Sequence, residues 1–243
     1  MIRWRLMAAF LTLVLATNCA RKSEGSKGPE AKAFGAALVE VSGGKQIAAI
    51  GTALDQPLVV QVNDAQGAAV AGAAVSFHAG GGSTVTPAEG LTGSDGQLTV
   101  SVALGGVAGR YQVIATTRDK AGKAIELRSE EIALGYQQNL GRQLNDRYCS
   151  RCHDPESTAE RVSNHDNLNA KPHAFTDGDF LNKISEADLS SIITHGGAAL
   201  NKSAEMPPYG GTLNKADIEA LVAYIRAVAD PPNRLKGLVY AKN

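Results

Sequence analysis

The run Cys149-Ser150-Arg151-Cys152-His153 carries the most defined chemistry in this 243-residue chain. C-x-x-C-H is an attachment sequence for a covalently bound haem of the c type. Two thiols separated by two residues lie along one helical turn, where each can add across one haem vinyl group. The imidazole of His153 then stands over the iron. Two other readings use the same cysteines. A redox dithiol needs only the C-x-x-C and leaves His153 without a role. A zinc site needs a second pair of ligands, and the one remaining cysteine is Cys19. One such motif implies one haem, joined through Cys149 and Cys152.

A second axial ligand must come from elsewhere. The chain has three methionines, at positions 1, 7 and 206. Export would remove the first two and leave Met206 as the sole thioether. It lies in Ala204-Glu205-Met206-Pro207-Pro208-Tyr209-Gly210-Gly211, where the prolines stiffen the loop, as a long, weak iron–sulfur bond requires. The alternative is a methionine that fills a gap in the core. Three other histidines share this half of the chain and are competing nitrogen ligands. His195 ends a helical pattern beside Gly196, a place that favours histidine in its own right. His165 and His173 lie in a polar stretch. His78 sits at a predicted strand end without a partner ligand and reads as a surface or satisfied histidine.

The elements that must position these residues are helical. Tyr136, Leu140, Leu144 and Tyr148 recur every four residues, which predicts a helix entering the C-x-x-C-H. A short helix is expected over 177–183. Ser185-Glu186-Ala187-Asp188 is a capping signal for a helix carrying Leu189, Ile192 and Ile193, stopped by Gly196-Gly197. Asn214-Lys215-Ala216-Asp217 starts another, whose apolar stripe is Ile218, Leu221, Val222, Ile225 and Val228, and Pro231-Pro232 ends it. With the C-x-x-C-H, the Met-Pro-Pro and this last helix in hand, residues 136–231 resemble a class I cytochrome c. The resemblance implies an all-α domain with one covalent haem c, and His153 and Met206 as axial ligands. It also implies a crossing of first and last helices, with Gly141 and Tyr224 in the roles of close-approach glycine and packing aromatic. A proline carbonyl usually orients the ligating histidine in that family, and Pro172 is the candidate. The stretch 154–184 departs from the family pattern.

Residues 36–134 read differently. Short alternating runs, at 58–62, 74–78, 98–102 and 111–116, are broken by Gly-rich turns such as Asn63-Asp64-Ala65-Gln66-Gly67 and Ser94-Asp95-Gly96-Gln97. Strands at this spacing predict an antiparallel β-sandwich of immunoglobulin size. The order of these stretches, with Val70 through Phe77 and Gly109 through Thr116, resembles the bacterial Ig-like domains of invasin and intimin, a likeness that implies no chemistry. The fold class is thus two domains: an all-β Ig-like sandwich, then an all-α cytochrome c domain. The haem contacts and the helices are expected on one side of a boundary near Gly135, so that residues 136–243 fold and hold haem without residues 36–134.

The N-terminus reads as a targeting segment over 1–19. Arg3 and Arg5 precede an apolar run from Leu6 to Ala16, too short to span a bilayer. Leu15-Ala16-Thr17-Asn18-Cys19 resembles the lipobox of bacterial lipoproteins, in which the cysteine is acylated. Ala16 and Asn18 depart from that family's preferred residues, and cleavage after Ala16 is the alternative. The expected location is the cell envelope, in the periplasm or at the cell surface, with a lipid anchor on Cys19 at the outer membrane. Residues 20–35 are charged and rich in Gly, Ser and Pro, a tether. The tail, 232–243, has no functional reading.

Formal net charge is zero, which offers no basis for nucleic-acid binding. The balance is uneven: residues 136–231 hold nine Lys/Arg against thirteen Asp/Glu. The function expected is electron transfer between a redox donor and acceptor, with the Ig-like domain as spacer or docking module. Two alternatives stand beside it. One is a binding module with a redox-tuned cytochrome. The other is a haem sensor or peroxidase in which Met206 dissociates.

Overall fold

The computed structural model describes residues 29–155 and 162–233. Cys19, the leader and the tail from 234 onward lie outside the described residues. Strands occupy the first half of the chain: β1 (Ala37–Ser42), β2 (Ile47–Ala49), β3 (Leu58–Asn63), β4 (Ala74–Ala79), β5 (Thr84–Thr86), β6 (Glu89–Leu91), β7 (Gln97–Ala103), β8 (Gly109–Arg118) and β9 (Ala124–Leu134). They form two sheets, ordered β1-β3-β7-β5 and β2-β9-β8-β4-β6. Alternation sets which side chains meet between them. Leu58, Val60 and Val62 of β3 face inward against Tyr111, Val113 and Ala115 of β8, and all six are buried in one core.

The predicted runs give β3, β4, β7 and β8 but not β1, β2, β5, β6 or β9, and two features stand out against the expectation. The pairing is antiparallel except that β2 runs parallel to β9. The chain leaves β1 in one sheet and continues as β2 in the other, so the opening segment is shared between sheets. The second is β9, an eleven-residue strand absent from the predicted runs. Its inward positions include Ser129 and Glu131, which are buried polar residues, so hydrophobic alternation does not mark it.

Glu131 is fully buried in this sandwich. Its carboxylate accepts hydrogen bonds from the Gln46 backbone N–H at 2.6 Å and from Ser129 Oγ at 2.9 Å. Burial pushes its pKa up to about 7 despite those donors, and nearby Glu40 adds to the rise. The folded protein therefore keeps a proton between pH 4.5 and 7 that the unfolded chain has released. Stability falls as pH rises through that window, by roughly 3 kcal/mol at about 1.36 kcal/mol per pKa unit, and the loss is complete above pH 7. Glu131→Gln should remove this pH dependence, as checked by denaturant unfolding on the two sides of the window. A wild-type difference that persists in the variant would exclude Glu131 as its source.

The second half is helical: α1 (Tyr136–Tyr148), α2 (Ser150–His153), α3 (Gly178–Leu181), α4 (Glu186–His195) and α5 (Lys215–Val228). The caps are those the sequence specifies. Ser185 Oγ accepts from the Asp188 N–H, and Asn214 and Asp217 cap α5 reciprocally. The α5 stripe of Ile218, Leu221, Val222, Ile225 and Val228 is buried. α1 lies across α5 at Gly141, where an added Cβ would come within 2.0 Å of the Ala220 carbonyl oxygen and 2.7 Å of Tyr224 Cβ. Any side chain at 141 would force the two helices apart.

The junction between halves is a packed contact. β9 ends at Leu134 and α1 begins at Tyr136, with Gly135 alone between them. Leu134, fully buried, packs with Tyr224 and Val228 of α5. Arg110 of β8 pairs with Glu130 and donates to the Ala229 carbonyl at 2.6 Å, beyond the end of α5. Arg142 of α1 donates to the Ile47 carbonyl of β2 at 2.5 Å. The sandwich thus caps the last helix and braces the first, and these are the helices that carry the site.

Candidate functional site

The α1–α5 crossing fixes the end of α1, and the C-x-x-C-H follows there without a break. Cys149 closes α1 by donating its N–H to the Asn145 carbonyl and opens α2 by accepting from the Cys152 and His153 N–H groups, both at 3.0 Å. The motif makes one turn, so Cys149, Cys152 and His153 all line one cavity of about 340 Å³. Met206 lines the same cavity, as do Phe175, Ile193 and Ile225. The walls are mainly apolar, and the volume falls in the roughly 300–1,000 Å³ range of small-molecule sites.

The His153 ring is fixed at one nitrogen and open at the other. Nδ1 lies 2.9 Å from the His173 carbonyl oxygen, a geometry that makes Nδ1 the protonated nitrogen and leaves the Nε2 lone pair available. The family resemblance points to Pro172 as the source of that carbonyl. The acceptor is instead the next residue, His173, because the extended loop after 168 turns this peptide toward the ring. Phe175 stacks obliquely on His153 with ring centroids 4.6 Å apart. Burial lowers the pKa of His153, which favours the neutral, ligating form.

Met206 is half-buried and is held through its backbone. Its carbonyl accepts from the Gly197 N–H at 3.0 Å. Gly196, at φ +77°, packs under the Met206–Pro208 backbone with no space for a Cβ. Tyr209 donates its hydroxyl to the Tyr148 carbonyl at 2.9 Å, which ties the methionine loop to the end of α1.

The competing histidines are separated by this arrangement. His165 and His195 do not line the cavity. His165 Nδ1 meets Asp166, and His195 Nδ1 lies 3.0 Å from the Ser191 carbonyl within its own helix. His173 does line the cavity, but its ring is stacked on Phe180 at 3.5 Å and its Nδ1 is 2.7 Å from Asp177. The dithiol alternative fares poorly on electrostatics. Burial pushes the Cys149 thiol up to about 12, whereas redox dithiols have lowered thiol pKa values. Among the described residues no His/Cys/Asp/Glu cluster could hold a bare metal ion.

Residues 44–129 match the family model of the bacterial Ig-like domain (group 1), and residues 137–225 match that of cytochrome c oxidase, cbb3-type, subunit III. The chain joins a bacterial Ig-like domain to a cytochrome c domain. Similar solved structures include the D00-D0 domain of intimin, 20% identical over 45% of this chain and 51% of that one, with a TM-score of 0.32. The Yersinia pseudotuberculosis adhesin InvE is 17% identical over 41% and 32%, with a TM-score of 0.30. Invasin, described as a bacterial integrin-binding protein, is 19% identical over 40% and 19%, with a TM-score of 0.31. The chain therefore spans about half the length of the first of these structures. No curated protein matches it.

A cytochrome c domain implies haem c, and the cavity's donor set fits that group. Two thiols sit on one helical turn beside a neutral imidazole with a free nitrogen, a thioether shares the cavity, and apolar side chains fill the walls. Lys171, Lys202 and Ser203 are among the polar residues of the lining. Sequence reasoning gave no role to Phe175, Tyr209 or the His173 carbonyl. None has a motif, since each acts through a contact between segments distant in sequence.

Proposed function

We propose that this protein is an exported electron carrier. It would hold one haem through thioethers to Cys149 and Cys152, with His153 and Met206 as axial ligands. The observation that carries this reading is the convergence of those four side chains on one apolar cavity, with the His153 ring oriented by a backbone carbonyl. Bound there, haem supplies a one-electron iron couple. The protein's own contributions are orientation of the two ligands, exclusion of water by apolar walls, and a surface for partner docking. Histidine–methionine ligation raises the potential relative to two nitrogens, so donor and acceptor belong at moderate to high potential.

The domain organisation fits transfer in the cell envelope. Residues 1–19 serve export, 20–35 form a tether whose end at Lys32 and Ala33 is already hydrogen-bonded to the Gly72 carbonyl of the sandwich, 36–134 the Ig-like spacer or docking module, and 136–231 the cytochrome, followed by a tail at 232–243. Cys19 carries the lipid anchor, at the outer membrane. Contacts through Leu134, Arg110 and Arg142 join the haem domain to the spacer. An anaerobic redox titration followed by absorbance should give one reversible one-electron transition. Two transitions, or none, would overturn the carrier reading. Cys19→Ala should shift the protein from the membrane to the soluble fraction, and unchanged fractionation would refute the lipid anchor.

A further inference from the structure

The residue before Met206 reaches across the cavity mouth. Glu205 lies on the methionine loop, and its carboxylate accepts hydrogen bonds from the other lip. The Asn169 N–H lies 3.1 and 3.3 Å from its two oxygens, Asn169 Nδ2 is at 3.1 Å, and the Ala170 N–H is at 3.3 Å. Ser203 Oγ, on the same loop, is a further donor at 3.3 Å. Two successive backbone N–H groups pointing at one oxyanion form a small concave anion site, and here a side chain of the same protein fills it.

The segment that supplies those donors is tied at its other end to the histidine. Lys171 Nζ donates to the carbonyls of His165 and Asp166 and so gathers 165–171 into a closed loop. Two residues on, the His173 carbonyl accepts from His153. The His173 ring in turn is clamped between Phe180 and Asp177, and Asp177 caps α3 through the Phe180 N–H. The segment 169–173 is thus a strap tied at both ends: His173 to His153, and Asn169–Ala170 to Glu205.

We propose that Glu205 is a positioning residue for Met206: by latching the methionine loop to this strap, it keeps the thioether over the iron and closes the mouth against small ligands. The proposal rests on the reading of Met206 as an axial ligand. A latch and a simple charge effect predict different outcomes. If Glu205 acted only through its charge, Glu205→Gln and Glu205→Ala would raise the potential alike. If it acts as a latch, Glu205→Gln keeps an acceptor oxygen for the Asn169 and Ala170 N–H groups, while Glu205→Ala removes every strap contact.

The test uses the full-length haem protein. Wild type, Glu205→Gln and Glu205→Ala are compared by the long-wavelength sulfur-to-iron band, by the rate of carbon monoxide binding to the reduced form, and by potential. Glu205→Ala should weaken the band and speed carbon monoxide binding by roughly three- to tenfold, the scale that a few solvent-exposed hydrogen bonds set. Glu205→Gln should stay near wild type in both. Equal carbon monoxide rates in all three proteins, with the band intact, would overturn the latch while leaving Met206 ligation standing. Equal acceleration in both variants would also overturn it, in favour of charge. A wild-type protein without the band would instead refute the axial reading on which the latch depends.

Discussion

Met206→Ala should abolish the sulfur-to-iron charge-transfer band of the oxidised protein, lower the potential, and let carbon monoxide bind the reduced form at once. The fall in potential is a sizeable part of the roughly 0.8 V that axial ligands span. Met206 is the only described methionine, so no second described thioether can move in. Its place is also held open by structure that the substitution leaves alone. Gly197 binds the backbone of residue 206, Gly196 packs beneath it, and Tyr209 fixes the loop to Tyr148. If Met206 is the axial ligand, truncation to alanine would therefore remove that ligand while the loop keeps these contacts. Among the described residues, the other imidazole in the cavity lining is His173, which would have to leave both Asp177 and Phe180 to replace the sulfur. A wild-type protein that lacks the band and binds carbon monoxide immediately would refute the carrier mechanism and favour a sensor or peroxidase. One that lacks the band yet excludes carbon monoxide would point to two histidine ligands, and to partners of lower potential.

The parts of this site that could be read from sequence are those with local causes. The C-x-x-C-H spacing is closed by hydrogen bonds within one turn, and the caps at Ser185 and Asn214 act over three residues. The α5 stripe follows helical periodicity, and Gly141 and Tyr224 sit where the crossing requires them. What remained hidden depends on irregular backbone or on partners far along the chain. In an extended loop no periodicity says which carbonyl faces the His153 ring, so the residue after Pro172 supplies it. Arg226 reads as a polar interruption of α5, yet it is buried and donates to the Leu181 carbonyl at 2.7 Å and to that of Ile184, bracing the wall that α3 and its following turn present to the cavity. The buried Ser129 and Glu131 conceal β9 for the same reason: hydrophobic pattern marks only apolar cores.

Removing both thiols should change the protein from one that cannot lose its haem to one that can. The intact mass of wild type should exceed its processed polypeptide by a single haem, which denaturing solvent leaves attached. In the double variant Cys149→Ala, Cys152→Ala the mass should equal the polypeptide alone, and any haem present should extract completely. Each single variant should keep one thioether and stay heavier by one haem, because the two cysteines are three residues apart on one turn and line the cavity independently. No other described cysteine could substitute. The double variant leaves His153 on its carbonyl and leaves the apolar walls intact, so it separates attachment from ligation: a haem held only by imidazole, thioether and burial remains in equilibrium with solvent. Since a group that binds only the folded state stabilises it by mass action, the double variant should also unfold at a lower temperature as its haem is diluted, while wild type should show no such concentration dependence. A wild-type haem that extracts, or a mass gain of two haems, would refute single covalent attachment at Cys149 and Cys152.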